Sequence, residues 1–232
     1  MIIGKGMLAN AFKTYANNNE VIIFASGVSN SQEKEMKEFD RELKLIQSTL
    51  TENPNKLFVY FSTCSMYDPL SSESLYVKHK LNMEQYIEKY AKSYLILRVS
   101  QILGRSKNKT LVNFLFDSIM SGEAFEVWKH SNRNLIALED VLQISNRLIE
   151  NKKYHNTLYH IANSTFITVP ELVNIFEEVL HKKANCNYLD KGYAYREIPI
   201  DISNIISELG IIFNDTYYYK HIKKFINTKI LD

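Results

Sequence analysis

Short apolar runs alternate with helical segments through the first hundred residues, and this alternation constrains the fold more than any other feature. Val21 to Phe24 (VIIF), Leu57 to Phe61 (LFVYF) and Tyr94 to Val99 (YLILRV) read as buried strands. Between the first two, residues 32–52 place Met36, Phe39, Leu43, Ile46 and Leu50 at helical spacing, and their charged neighbours read as a solvated face. Pro54 closes that helix, and another runs from Tyr76 to about Lys92. Strand–helix–strand repeats specify a parallel sheet built from β-α-β units, so the expected class is α/β. Beyond about residue 105 the alternation loosens. We therefore expect a core over residues 1–105 and a smaller, partly interleaved region over 106–232. That region shows a short strand (FEVW), an extended segment entering a helix near Glu139 and Asp140, and a strand (LYHIA). A helix from Val169 to Leu180, a loop from 183, a short helix ending at Gly210 and a tyrosine-rich terminal helix follow.

Sheets of this kind bind ligands at the carboxyl ends of their strands. Gly4, Ser26, Thr63 and Ser100 all stand at such ends, so one crevice could gather them. At the first, MIIGKGMLA, Gly4, Gly6 and Ala9 fit the G-x-G-x-x-[GA] pattern of dinucleotide-binding turns. Glycines there permit a tight turn and close approach of backbone to a pyrophosphate at a helix N-terminus. The cofactor-binding candidates are Gly4, Lys5, Gly6, Met7 and Leu8 in this loop, with Ser26 after the second strand. An ordinary strand–turn–helix is the alternative, and the strand before and helix after are what give the motif weight.

The third strand ends in Ser62, Thr63, Cys64 and Ser65, and the next helix carries Tyr76 and Lys80 four residues apart on one face. An ammonium beside a phenol favours the phenolate and suits the phenol to acid–base work, while a strand-end hydroxyl could hold a substrate oxygen against it. Spacing alone does not decide this, because Tyr219 and Lys223 repeat it. Only Tyr76 follows a strand ending in Ser-Thr.

A chain of 232 residues, 45% hydrophobic and 23% charged, has the composition of a soluble globular protein. Its net charge of +2 and dispersed lysines argue against nucleic acid as a partner. No run has membrane-spanning length, and MIIGKGML lacks a secretory h-region. The two cysteines, Cys64 and Cys186, have no metal-ligand spacing, so a reduced, cytoplasmic protein without a metal site is expected.

Taken together, these motifs resemble the extended short-chain dehydrogenase/reductases of the nucleotide-sugar epimerase/dehydratase group, over most of the chain. GKGMLA is similar to that family's cofactor loop, and VYFSTCSMY to its strand with a catalytic Ser or Thr four residues before an aromatic. Tyr76-x-x-x-Lys80 with Glu84 is similar to its catalytic helix. LILRVSQILG, RNLIALEDV and IPIDISNIISELG resemble its later motifs. The resemblance implies a Rossmann-like, mostly parallel sheet with a small C-terminal substrate-binding region. It also implies Tyr76 as general acid/base, Lys80 tuning it and binding the nicotinamide ribose, and Thr63 holding the reacting oxygen. Arg133, with Arg196 as a weaker second, would meet the nucleotide diphosphate. A surface ion pair is the alternative for either arginine, and His79 and His160 read as structural.

The chain departs from the family pattern in three places. VIIFASGVSNS resembles the family's fourth strand rather than its second, so one β-α-β unit is missing, and Ile2 and Val21 should lie on adjacent strands. The cofactor loop is one residue shorter than usual, and Tyr76 follows Thr63 by only 13 positions. With the missing unit goes the acidic residue that selects NAD; no carboxylate follows Phe24 until Glu33. Lys5 then tilts the expectation toward NADP, with NAD the other choice.

The expected function is an NAD(P)-dependent oxidoreductase or epimerase, including keto-reduction, acting on a nucleotide-linked sugar. A 4,6-dehydratase fits less well, since Cys64-Ser65 stand where that subgroup has Asp-Glu. A non-catalytic nucleotide or sugar-nucleotide binding protein, and a structural partner of a longer relative, remain the alternatives. A homodimer is an open expectation, and the helix of Tyr217 and Tyr219 should lie at the surface or in a subunit contact.

Overall fold

Tyr60 is fully buried in the middle of the sheet, with a strand on either side and helices above and below. The computed structural model describes residues 1–104 and 110–230, and the expected boundary at 105/106 falls outside them. In chain order, β1 (Ile2–Ile3), α1 (Met7–Ala11), β2 (Val21–Phe24), α2 (Met36–Glu52), β3 (Leu57–Thr63), α3 (Leu75–Tyr90) and β4 (Tyr94–Val99) alternate. Then come β5 (Gln101–Leu103), α4 (Leu111–Ser121), β6 (Phe125–Trp128), β7 (Asn132–Arg133), β8 (Leu135–Ala137) and α5 (Leu138–Glu150). The chain closes with β9 (Thr157–Ile161), β10 (Ile167–Thr168), α6 (Val169–Leu180), β11 (Cys186–Leu189), α7 (Ser203–Glu208) and α8 (Tyr217–Ile230).

The main sheet has the order β1-β2-β3-β4-β9, parallel throughout. It is a Rossmann-like α/β sheet. Strand side chains alternate between faces. Val59, Phe61, Leu95 and Leu97 meet Val141, Ile144 and Leu148 of α5 on one face. On the other, Phe58, Tyr60 and Ile96 meet Ile46 of α2 with Met83 and Ile87 of α3. This double coverage is why β3 is apolar without alternation.

Ile2 pairs with Ile23, so β1 lies directly against the strand that begins at Val21, as the missing unit requires. Among the described residues β1 has no strand on its other side. A second apolar cluster joins α4, β6, α6 and α8. There β11 runs parallel to β6, where a plain loop was expected. Helix α8 lies at the surface, with Lys220, Lys223 and Lys224 exposed, and turns its other face to this cluster. Tyr217 and Tyr218 are buried, with the Tyr217 hydroxyl donating to Asp140 and accepting from Ala137 N–H at 2.9 Å. The polar side of Tyr217 is satisfied inside the core, so the helix docks inward. Among the described residues, no helix is long and apolar enough to cross a membrane.

Candidate active site

Ser74 sets the start of α3: its Oγ accepts from Val77 N–H at 3.2 Å, which puts Tyr76 in the first turn. Just upstream, the Asp68 carboxylate accepts from Leu70 N–H and Ser71 Oγ at 3.0 and 3.1 Å, folding the β3–α3 link on itself. At the end of β3, Thr63 Oγ1 accepts from Ser65 N–H at 3.0 Å and donates to Ser65 Oγ at 2.8 Å. Tyr76 packs beside Val28, Phe39 and Val77.

The segment after β11 lies over these strand ends. Arg196 N–H donates to the Tyr67 carbonyl at 2.7 Å, and Tyr195 packs with Cys64 and Ile198. Burial, then the charge of Asp68, push the Tyr195 phenol upward against the pull of Arg133; Cys64 and Tyr76 are also within electrostatic reach. The Arg133 guanidinium stands 6.0 Å from the Tyr195 ring centre. Arg133, Tyr76 and the end of β3 thus gather about Tyr195, whereas the Arg196 side chain is exposed.

Gly4 has φ +131°, and a Cβ there would sit 2.3 Å from the Ala25 carbonyl oxygen, so only glycine fits. Gly6 faces open space and Lys5 is exposed. Met7 and Leu8 turn inward. A Cβ on Gly104 would meet Met7 Sδ at 2.6 Å, and Leu8 packs into the core beneath the sheet. Ser26 is half-buried, and its carbonyl accepts from Arg41 Nη1 at 3.1 Å.

Lys80 lies 6.0 Å from the Tyr76 ring centre and is held by a carboxylate that sequence reasoning missed. Glu42, assigned to the solvated face of its helix, is 0% exposed. Its Oε1 accepts from Lys80 Nζ at 3.1 Å and Tyr60 OH at 2.6 Å, and its Oε2 from Val28 N–H at 2.6 Å, with His79 Nε2 at 3.0 Å. Burial alone would raise its carboxyl. The charge of Lys80 and these hydrogen bonds outweigh burial and hold it well below the usual carboxylate range.

A second polar chain crosses the same sheet. Ser62 donates to Glu84, which receives Arg98 Nε and Nη2 at 2.9 and 2.6 Å. His160 Nδ1 lies 2.7 Å from Asp201 and Nε2 lies 2.8 Å from the Tyr67 hydroxyl, so His160 ties β9 to both loops. At the end of β4, Ser100 Oγ and Gln101 Nε2 are buried with no hydrogen-bond partner among the described residues. Neither Gln101 nor Tyr195 stood out in the sequence. Both take their places from the approach of distant segments.

A family model for the RmlD substrate binding domain matches residues 60–191, more than half of the chain. The chain belongs to the RmlD substrate-binding-domain family. In this RmlD-family chain the match spans Thr63, Tyr76, Lys80 and Arg133, and leaves the glycine loop, Ser26, Glu42 and Arg196 outside it. Among solved structures, the chain is similar to MoeE5 in complex with UDP-glucose and NAD (TM-score 0.73, 15% identity, covering 98% of this chain and 86% of that one). It is also similar to dTDP-glucose 4,6-dehydratase from Bacillus anthracis str. Ames in complex with NAD (0.73, 14%, 98% and 79%). A third is UDP-N-acetylglucosamine 4-epimerase from Methanobrevibacter ruminantium M1 in complex with UDP-N-acetylmuramic acid (0.69, 17%, 91% and 77%). At these identities the likeness is one of fold, and it agrees with the extended short-chain dehydrogenase/reductase resemblance of the motifs. No curated protein sequence matches.

Proposed function

We propose that this RmlD-family chain is an NAD(P)-dependent oxidoreductase or epimerase, keto-reduction included, acting on a nucleotide-linked sugar. The observation that carries this reading is the convergence at the end of β3. The Thr63 hydroxyl is fixed there, Tyr76 occupies the first turn of α3, and Lys80 Nζ lies 6.0 Å from the Tyr76 ring centre. Neighbours of the same fold solved with NAD and UDP-sugars support it.

The chain's residues fit a dinucleotide at its pyrophosphate and nicotinamide half. Gly4 brings the loop against Ala25 as no other residue could, Gly6 leaves open space above it, and Ser100 and Gln101 hold polar atoms with no partner among the described residues. When bound, the nicotinamide supplies hydride acceptance or return at the sugar carbon. Thr63 holds the reacting oxygen, and Tyr76 takes the hydroxyl proton during oxidation or returns it during reduction. Arg133, which stands beside Tyr195, would meet the diphosphate, since a guanidinium matches phosphate oxygens; Arg196 is the weaker second.

The test is turnover of a UDP- and dTDP-sugar panel with NAD and with NADP, read by nicotinamide absorbance and by NMR of the sugar. Conversion of at least one sugar, lost in Tyr76→Phe, is the expected result. Tight binding of a sugar nucleotide without turnover would instead select the binding-protein reading.

A further inference from the structure

Two consecutive backbone N–H groups tie the segment after β11 to two different parts of the site. Tyr195 N–H donates to Asn132 Oδ1 at 2.8 Å, on β7 beside Arg133. Arg196 N–H donates to the Tyr67 carbonyl at 2.7 Å, on the link that leads from β3 to Tyr76. Tyr195 therefore bridges the strand of the diphosphate candidate and the approach to the acid–base candidate. Its ring is held too. It packs with Cys64 and Ile198, 6.2 Å from the Phe166 ring centre, and the Arg133 guanidinium stands 6.0 Å away. The hydroxyl of this half-buried side chain is different: it has no hydrogen-bond partner among the described residues. A tyrosine fixed by its ring and backbone, with its polar end unmet, is placed to meet a ligand.

We propose that Tyr195 is a substrate-binding residue whose hydroxyl hydrogen-bonds the hexose of the nucleotide sugar, between a diphosphate at Arg133 and a reacting carbon at Tyr76. The proposal rests on the nucleotide-sugar reading above and gives it a residue on the sugar side. Arg133 and Tyr76 both lie within electrostatic reach of the Tyr195 phenol, so a ligand that meets the two runs beside it. Burial, then the charge of Asp68, hold that phenol above its ordinary range against the pull of Arg133. It stays protonated at neutral pH and can both donate to and accept from a sugar hydroxyl. A phenol held neutral in this way does not serve as a base, which leaves proton transfer to Tyr76. The division of labour is then threefold: charge at Arg133, alignment at Tyr195, chemistry at Tyr76.

The experiment is calorimetry on wild type and Tyr195→Phe with UDP, dTDP, GDP and ADP, each bare and as its hexose conjugate. Phenylalanine keeps the ring and its packing and removes only the hydroxyl. For whichever conjugate wild type binds, Tyr195→Phe should weaken affinity by about 3–10-fold, the worth of one neutral hydrogen bond. Affinity for the matching bare nucleotide should stay within about twofold, with the melting temperature unchanged. Where the conjugate is turned over, KM should rise by the same factor while the pH profile of kcat keeps its wild-type position. Equal weakening of bare nucleotide and conjugate overturns the proposal, because Tyr195 then serves the diphosphate or the fold. Unchanged affinity for the conjugate overturns it as well, and so does a displaced pH profile, which would put the phenol in the proton transfer. Wild type that binds none of these ligands refutes the nucleotide-sugar reading and the proposal with it. Wild type that binds a conjugate no differently from Tyr195→Phe refutes the proposal alone.

Discussion

Two tyrosine–lysine pairs in this chain have nearly the same internal geometry, 6.0 Å from Lys80 to the Tyr76 ring and 5.8 Å from Lys223 to the Tyr219 ring. Their surroundings separate them. Lys80 is buried on a carboxylate beside the end of β3, whereas Lys223 is exposed on the last helix. Tyr76→Phe keeps the ring and removes the proton-exchanging oxygen, so turnover should fall about 10²–10⁴-fold with the melting temperature unchanged. Thr63→Val should act in the same direction, and Tyr219→Phe should leave turnover at the wild-type level; parallel turnover and melting measurements check all three. Glu42 gives a pH prediction. Its folded pKa lies below its unfolded value of 4.5, so its stabilisation is present above that value and is lost as pH falls through the folded one. Glu42→Gln leaves Lys80 buried without a counter-charge, at a cost of roughly 3–5 kcal/mol near neutrality. The difference between wild-type and variant melting temperatures should shrink steadily below pH 4.5. A gap that stays constant down to acid unfolding would show that Glu42 does not titrate with the fold.

At the scale of elements, what could be read from the sequence follows from how local the determinants are. Helix α6 was legible to its first residue because Thr168 and Glu171 form a reciprocal capping box with Pro170 in the first turn. The strands of the main sheet were legible as unbroken apolar runs. Strand β11 was not: it is four residues long, half exposed, and exists because β6 lies alongside it. Which tyrosines of α8 are buried was hidden for a related reason, since three successive tyrosines carry no sign of which ones find buried partners. Among candidate site residues, Thr63, Tyr76 and Lys80 could be named from the strand-end context and the family resemblance. Glu42 could not, because the partner that buries it lies 38 positions away. Two substitutions separate elements that serve the site from elements that only stabilise. Ser74→Ala removes the cap of α3, costing about 1 kcal/mol. It should lower turnover as well as melting temperature, because Tyr76 stands in the loosened turn. Tyr217→Phe leaves Ala137 N–H and Asp140 without their buried partner, at roughly 1–3 kcal/mol. Melting should fall and turnover per folded molecule should hold; equal losses in both assays for both variants would refute the distinction.

Among the described residues the main parallel sheet ends at β1, on the side where a dinucleotide fold ordinarily continues toward the adenosine. On its inner side β1 pairs with β2, whose end reads Phe24-Ala25-Ser26-Gly27, with no carboxylate to accept a bond from the adenosine ribose. Glu42 does reach the loop after β2, through Val28, but it is 0% exposed and all its lone pairs face protein donors. What the surface offers nearby is positive: Lys5 in the glycine loop is exposed, and Arg41 bonds the Ser26 carbonyl. No carboxylate stands at the strand end itself to repel a 2′-phosphate, and Lys5 can receive one, while Arg41 is already paired with Glu38 at 2.8 Å. NADP should bind at least as tightly as NAD, with a preference below about 100-fold because exposed lysine–phosphate contacts are screened by salt. Raising the ionic strength should shrink that preference, and Lys5→Ala should weaken NADP more than NAD. Calorimetric titration of both dinucleotides into wild type and Lys5→Ala at low and high salt checks each part. Tight NAD binding with NADP excluded would mean that a carboxylate from another segment meets the ribose, and that the shortened sheet does not govern cofactor choice.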